Sequence, residues 1–132
     1  MLDFNHAMIY TQDVARSLAF YRDLLGLELI EDYRMHDRPV YARLKAPGGT
    51  GTIALHGLRP GEALATGGIR LYFETRNLAA VCKRLEKKGA KFTSGPKLMP
   101  WGWTHAYLDD PDGHEVSLYR AGTKRFKKTM KL

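Results

Sequence analysis

Apolar residues recur every three or four positions in only two stretches of the chain. In DVARSLAFYRDLL (13–25), Val14, Leu18, Tyr21 and Leu25 fall on one stripe, and in LAAVCKRLEKK (78–88), Leu78, Val81, Cys82 and Leu85 share a face. That spacing predicts two helices. Asp13 and Asn77 stand where a short polar side chain accepts from the unpaired N–H groups of a helix start. Gly26 and Gly89 stand where a left-handed residue ends one. Cys82 therefore belongs to the core, with no neighbour in sequence to depress its thiol pKa.

Elsewhere the pattern is alternation, the mark of half-buried strands. It runs through HAMIY (6–10), LELIEDY (27–33), PVYARLKA (39–46) and TIALHG (52–57), and again through IRLYFET (69–75), AKFTS (90–94), THAYLDD (104–110) and HEVSLYR (114–120). Glycine and proline clusters punctuate these runs: APGGTG at 46–51 and DPDG at 110–113. DPDG has Pro at the second and Gly at the fourth position, which is a turn. It lacks the further spaced carboxylates of a calcium-binding loop.

The two halves repeat each other. His6 matches Arg70, Val14 matches Leu78, Pro47 matches Pro111 and Gly49 matches Gly113, each at a spacing of 64 residues. The predicted fold is therefore α+β: two β-α-β-β-β modules, 1–57 and 68–120, joined by GLRPGEALATGG. Together they form one domain over 1–121, a mixed eight-stranded sheet curved around a cavity with the helices outside. Parity sorts the strand residues. Ala7, Ile9, Ile53, Leu55, Ile69, Leu71, Phe73, Val116 and Leu118 are apolar and belong under the helices. The alternate set, His6, Met8, Tyr10, Ala54, His56, Arg70, Tyr72, Ser117 and Tyr119, belongs to the cavity wall. Trp101 and Trp103 flank Gly102 on a loop before the seventh run, where they either pack or lid the cavity. The alternation does not decide which face His105 takes.

Composition changes this picture little. At 132 residues, 44% apolar and 27% charged, the chain reads as an ordinary globular domain. No apolar run reaches the ~20 residues of a membrane span, and MLDFNHAMIY does not read as a signal peptide. The single cysteine excludes an internal disulfide and suits the cytoplasm. Of the formal net charge of +7, five charges sit in the basic tail (Lys124, Arg125, Lys127, Lys128, Lys131), which leaves +2 for residues 1–123. A tail over 122–132 without a recognition motif argues against nucleic acid as the main partner.

The stretches HAMIYTQDVARSLAFYRDLLGLEL, IRLYFETRNLAAVCKRLEKKGAKF and AYLDDPDGHEVSLYR resemble the vicinal oxygen chelate superfamily, which includes glyoxalase I, extradiol dioxygenases, and fosfomycin- and bleomycin-resistance proteins. The resemblance implies a homodimer, since such modules commonly complete their cavities against a second chain. It also implies four metal-ligand positions, which fall here on His6, Ala54, Arg70 and Ser117. Only His6 is a usual ligand. A guanidinium has no free lone pair, alanine has no donor and serine is a poor one. The expectation is thus no metal cofactor. The alternative is a divalent metal at a shifted site of His6, His56 and Glu115, which needs a different register, because two residues of strand displace a donor by ~7 Å.

Three functions compete. The first is a non-metal protein that binds a small anionic or aromatic organic molecule, with Arg70 gripping its oxygens and Tyr10, Tyr72, Tyr119, His56, Ser117, Trp101 and Trp103 around it. Arg70 has a structural alternative, a salt bridge to Glu115 or Glu74. The second is a glyoxalase-type lyase, isomerase or dioxygenase, either metal-dependent or using His6 as general base. The third is a module acting through its basic tail.

Overall fold

The computed structural model describes residues 1–123, so the basic tail, 124–132, lies outside the described residues. All eight strands and both helices form where the periodicity puts them, with ends moved by at most four residues. In chain order they are β1 (Ala7–Thr11), α1 (Val14–Leu18, continued by a π-helical turn Ala19–Leu24), β2 (Glu28–Met35), β3 (Arg38–Lys45) and β4 (Thr52–Gly57), then β5 (Arg70–Glu74), α2 (Leu78–Lys87), β6 (Phe92–Leu98), β7 (Thr104–Asp109) and β8 (Glu115–Arg120). Among the described residues no helix is long and apolar enough to cross a membrane.

The strands form two four-stranded mixed sheets of identical plan, β1-β4-β3-β2 and β5-β8-β7-β6. In each, the first and last strands run parallel and the others antiparallel. The register confirms the duplication: Met8 lies beside Ala54, and their counterparts Tyr72 and Ser117 lie side by side in the second sheet. Two compact units result. One holds residues 1–68 and the turn 110–114, and the other holds 69–109 and 115–123.

In the first unit, Val14, Leu18 and Tyr21 are buried with Ile9, Ala42, Leu44 and Leu55. Asp13 caps α1, its Oδ1 accepting from Arg16 N–H at 3.2 Å. The helix then widens: Leu25 N–H reaches back five residues to Phe20 C=O at 2.9 Å, and Gly26, at φ +85°, ends it. The wider turn changes which side chains face inward. Phe20, off the predicted stripe, is buried edge-on against Tyr21, whereas Leu25, on the stripe, is only half-buried.

The DPDG turn packs with this unit. Asp110 C=O accepts from Gly113 N–H at 3.0 Å, and its Oδ1 accepts from the N–H groups of Asp112 and His114, both at 2.9 Å. Tyr21 donates its hydroxyl to Asp110 Oδ2 at 2.7 Å, and burial beside that carboxylate drives the phenol pKa far up. Asp112 is gripped by Thr11 Oγ1, by Gln12 N–H at 3.1 Å and by Arg16 Nη2 at 2.8 Å. Burial opposes its charge, but these donors outweigh burial and hold its carboxyl below the usual range.

In the second unit, Leu78, Cys82 and Leu85 of α2 are buried with Ala106, Leu108, Val116 and Leu118. Burial raises the Cys82 thiol pKa, as a core cysteine requires. Two details depart from expectation. Asn77 does not cap α2 with its side chain, for its φ of −120° and ψ of 52° are not cap geometry. Ile69 precedes β5 and is 65% exposed instead of packing under a helix.

Candidate functional site

The face of the second sheet turned away from α2 gathers rings. The DPDG turn sets Asp109 opposite Glu115, so Tyr107 falls opposite Ser117 and His105 opposite Tyr119. Parallel pairing of β5 with β8 then adds Tyr72 beside Ser117 and Glu74 beside Tyr119. Alternation turns all of these to one side. The loop before β7 adds two indoles: Met99 N–H bonds Trp103 C=O at 2.8 Å, Gly102 N–H bonds Met99 C=O at 2.9 Å, and Gly102 takes φ +89°.

The rings stack in a column. Tyr107 lies at 5.8 Å and 13° from His105, His105 at 5.1 Å and 13° from Tyr119, and Tyr119 at 5.5 Å and 5° from Trp103. Two more rings meet His105 edge-on, Tyr72 at 5.9 Å and Trp101 at 5.6 Å. Offset and edge-to-face pairs of this kind contribute about 0.5–1.5 kcal/mol each beyond area burial. The column stays partly open, since Tyr72 is 50% and Trp101 43% exposed.

His105 sits at the middle of this column. It is 4% exposed, and its Nδ1 lies 3.0 Å from Ser117 Oγ. Its Nε2 is buried and has no hydrogen-bond partner among the described residues. Desolvation lowers its pKa, so the ring is neutral at pH 7 and carries one N–H and one lone pair. Whichever tautomer Ser117 selects, one polar ring nitrogen is left over. Such a buried group costs about 1–3 kcal/mol unless something satisfies it.

Arg70 flanks the rings. Its Nε donates to Glu115 Oε2 at 3.0 Å, the salt bridge that competed with a ligand role. Its side chain is 58% exposed, and hydrogen bonds to Tyr72 and Glu115 raise its pKa further. The guanidinium is therefore oriented by a carboxylate and still open to solvent. Tyr119 donates to Glu74 Oε1 at 3.1 Å.

The remaining candidates lie in the first unit. His6 Nδ1 is 2.6 Å from Asn5 Oδ1. His56 Nδ1 is 2.6 Å from Gly57 C=O, with its ring beside Tyr10 and Tyr41. His56 pairs with Tyr10, four residues along β1 from His6, which separates the two histidine backbones by about 13 Å. Among the described residues, the cluster of His, Cys, Asp and Glu close enough to share an ion is Asp110, Asp112 and His114. That cluster is occupied by its own partners, including His114 Nε2 on Tyr10 C=O at 2.9 Å. The four positions taken from the resemblance do not fit a divalent ion as a donor set. Ala54 has no donor, Arg70 is ion-paired and Ser117 Oγ is engaged with His105.

A hollow of about 370 Å³ lies elsewhere in the second unit, between Arg76, the first turn of α2, Pro96, Thr104 and Arg120. It contains none of the column rings.

His105, whose face the alternation left open, is placed by the register of β7 against β8. Five residues, 110–114, separate Asp109 from its partner Glu115, and that loop length sets His105 opposite Tyr119, on the same face.

Comparison with known proteins agrees with this architecture. Residues 3–118 match the family model of the Glyoxalase/Bleomycin resistance protein/Dioxygenase superfamily. The chain is 27% identical to a probable lactoylglutathione lyase of Synechocystis sp., over 91% of this chain and 96% of that protein. It is 28% identical to the lactoylglutathione lyase of Salmonella typhimurium, over 88% and 90%. Among solved structures, a superfamily member from Sphaerobacter thermophilus aligns with a TM-score of 0.72 at 26% identity, over 91% of this chain and 98% of that one. An antibiotic binding protein from Streptomyces sp. CB03234 shares the fold with a TM-score of 0.75 at 24% identity, over 92% and 98%. With the family model matched across nearly the whole described chain, and with the same duplicated β-α-β-β-β plan, the chain belongs to the Glyoxalase/Bleomycin resistance protein/Dioxygenase superfamily.

Proposed function

We propose that this chain binds a small planar organic molecule, anionic or aromatic, against the ring column of the second sheet, and does so without a metal. The observation that carries the reading is the column itself: Tyr107, His105, Tyr119 and Trp103 in a row, edged by two partly exposed rings. A stack of flat faces recognises another flat face, because each ring prefers an offset or edge-on neighbour. Arg70 supplies the anionic preference. Already oriented by Glu115, it keeps further N–H donors for a carboxylate or enolate oxygen.

The superfamily also includes lyases such as the Salmonella relative. A lyase of that metal-dependent type is disfavoured here by the donor chemistry of Ala54, Arg70 and Ser117. Binding is the reading that uses the residues present.

Calorimetric titration with 2-naphthoate tests it. Saturable binding is expected, weakened by Arg70→Met by about 1.5–3 kcal/mol, the scale of a charge-assisted hydrogen bond. A lowered melting temperature with unchanged affinity would make Arg70 purely structural, and no binding at all would sink the reading.

A further inference from the structure

The unsatisfied nitrogen at the centre of the column says more about the ligand than its flatness does. Resting on the binding reading above, we infer that the ligand is a hydroxylated aromatic, a phenol or enol, whose ring joins the column and whose hydroxyl bonds His105 Nε2.

Three observations converge. First, His105 Nε2 is buried and unpartnered among the described residues, while Nδ1 is taken by Ser117 Oγ at 3.0 Å. Second, aromatic rings surround it on both faces and two edges. A partner for Nε2 must therefore arrive on a flat apolar body that replaces ring contacts as it enters. Third, the site holds a neutral imidazole in a desolvated setting, which disfavours bringing a bare charge to Nε2.

The choice of functional group follows from hydrogen-bond bookkeeping. If Nδ1–H donates to Ser117, Nε2 presents a lone pair and needs a donor. If the Ser117 hydroxyl donates to Nδ1, then Nε2 presents an N–H and needs an acceptor. A carboxylate serves only the second case and an ammonium only the first. A hydroxyl serves both and carries no charge inward. A phenol therefore meets the ring column and the nitrogen together. Arg70, at the exposed margin of the same face, remains available for a second, anionic substituent.

Entry requires a ring to move, because Nε2 is shut off from solvent. Trp101 is the ring placed to do so. It meets His105 edge-on, is 43% exposed, and sits on the short Met99–Gly102 turn rather than on a strand.

The test uses naphthalene, 2-naphthol and 2-methoxynaphthalene with the full chain. Calorimetry should show 2-naphthol binding about tenfold tighter than naphthalene, the worth of one added hydrogen bond, with 2-methoxynaphthalene weaker than 2-naphthol. In His105→Phe the preference for 2-naphthol over naphthalene should vanish, whatever the absolute affinities become. The wild-type protein labelled with ¹⁵N-histidine supplies a second readout that does not depend on how the variant folds. Saturating 2-naphthol should move the His105 Nε2 resonance, and naphthalene should leave the hydrogen-bond signature absent. Equal affinity for the three probes, a preference that survives in a folded His105→Phe, or an Nε2 resonance unmoved by bound 2-naphthol would overturn the phenol assignment while leaving aromatic binding intact. If no naphthalene probe and no naphthoate binds, the binding reading itself falls, and this inference with it.

Discussion

Asp112 shows how much one residue of a turn can organise. Its side chain is fully buried at the junction of β1 and α1, where it satisfies Thr11, Gln12 N–H and Arg16 at once. Asp112→Ala would leave those donors without an acceptor and should cost about 2–3 kcal/mol, read from urea unfolding at pH 7. The sign of its pH dependence follows from its lowered carboxyl pKa. The stabilisation is complete above the unfolded carboxyl value of about 3.9 and disappears as pH falls through the lower folded value. The wild-type protein should therefore lose stability more steeply than Asp112→Ala below about pH 4. Parallel curves would show that the carboxylate contributes nothing. DPDG was legible as a turn from its proline and glycine, but these partners were not, because Thr11 and Arg16 lie about a hundred residues away in sequence.

At the scale of elements, periodicity carried most of the information. Strand parity foretold the open face because alternation is a local property of the backbone, and it brought Arg70, Tyr72, Ser117 and Tyr119 to one side. It failed where the backbone leaves its period. The π-helical turn buries Phe20 in place of Leu25, and nothing in FYRDLL announces the widening. Asn77 has the right chemistry for a cap and the wrong dihedrals. Trp101 and Trp103 were visible as a loop pair, but their stacking depends on how the chain returns past them. That return is tight: a Cβ at Gly122 would stand 2.7 Å from Gly102 C=O and 3.1 Å from Trp103 Cδ1. Gly122→Ala should push the Trp loop off Tyr119. The expected result is a shifted Trp103 indole resonance and weaker naphthoate binding, with a melting temperature within a few degrees of wild type. An unperturbed indole signal would show that the loop holds its place without this close approach.

For the whole molecule, duplication explains both the fold and the division of labour within it. The same strand order occurs twice, yet the equivalent open faces differ: the first carries His6, His56, Tyr10 and Tyr41, and the second carries the ring column. Family membership leaves the chemistry open, because one fold hosts unrelated activities. The residues decide instead. Elemental analysis of protein purified without a histidine tag should find well under one zinc, nickel or iron per chain. A stoichiometric metal lost in His6→Ala would restore a metal-dependent enzyme as the better account.

The central claim is that the second sheet's ring column is the binding surface, and the chain has a built-in reporter for it. Both of its tryptophans, Trp101 and Trp103, belong to that column, so its two indole N–H resonances report on that surface. Titration with 2-naphthoate should shift both in a saturable way, with the dissociation constant found by calorimetry. Calorimetric binding that leaves both resonances in place would put the ligand elsewhere and contradict the account.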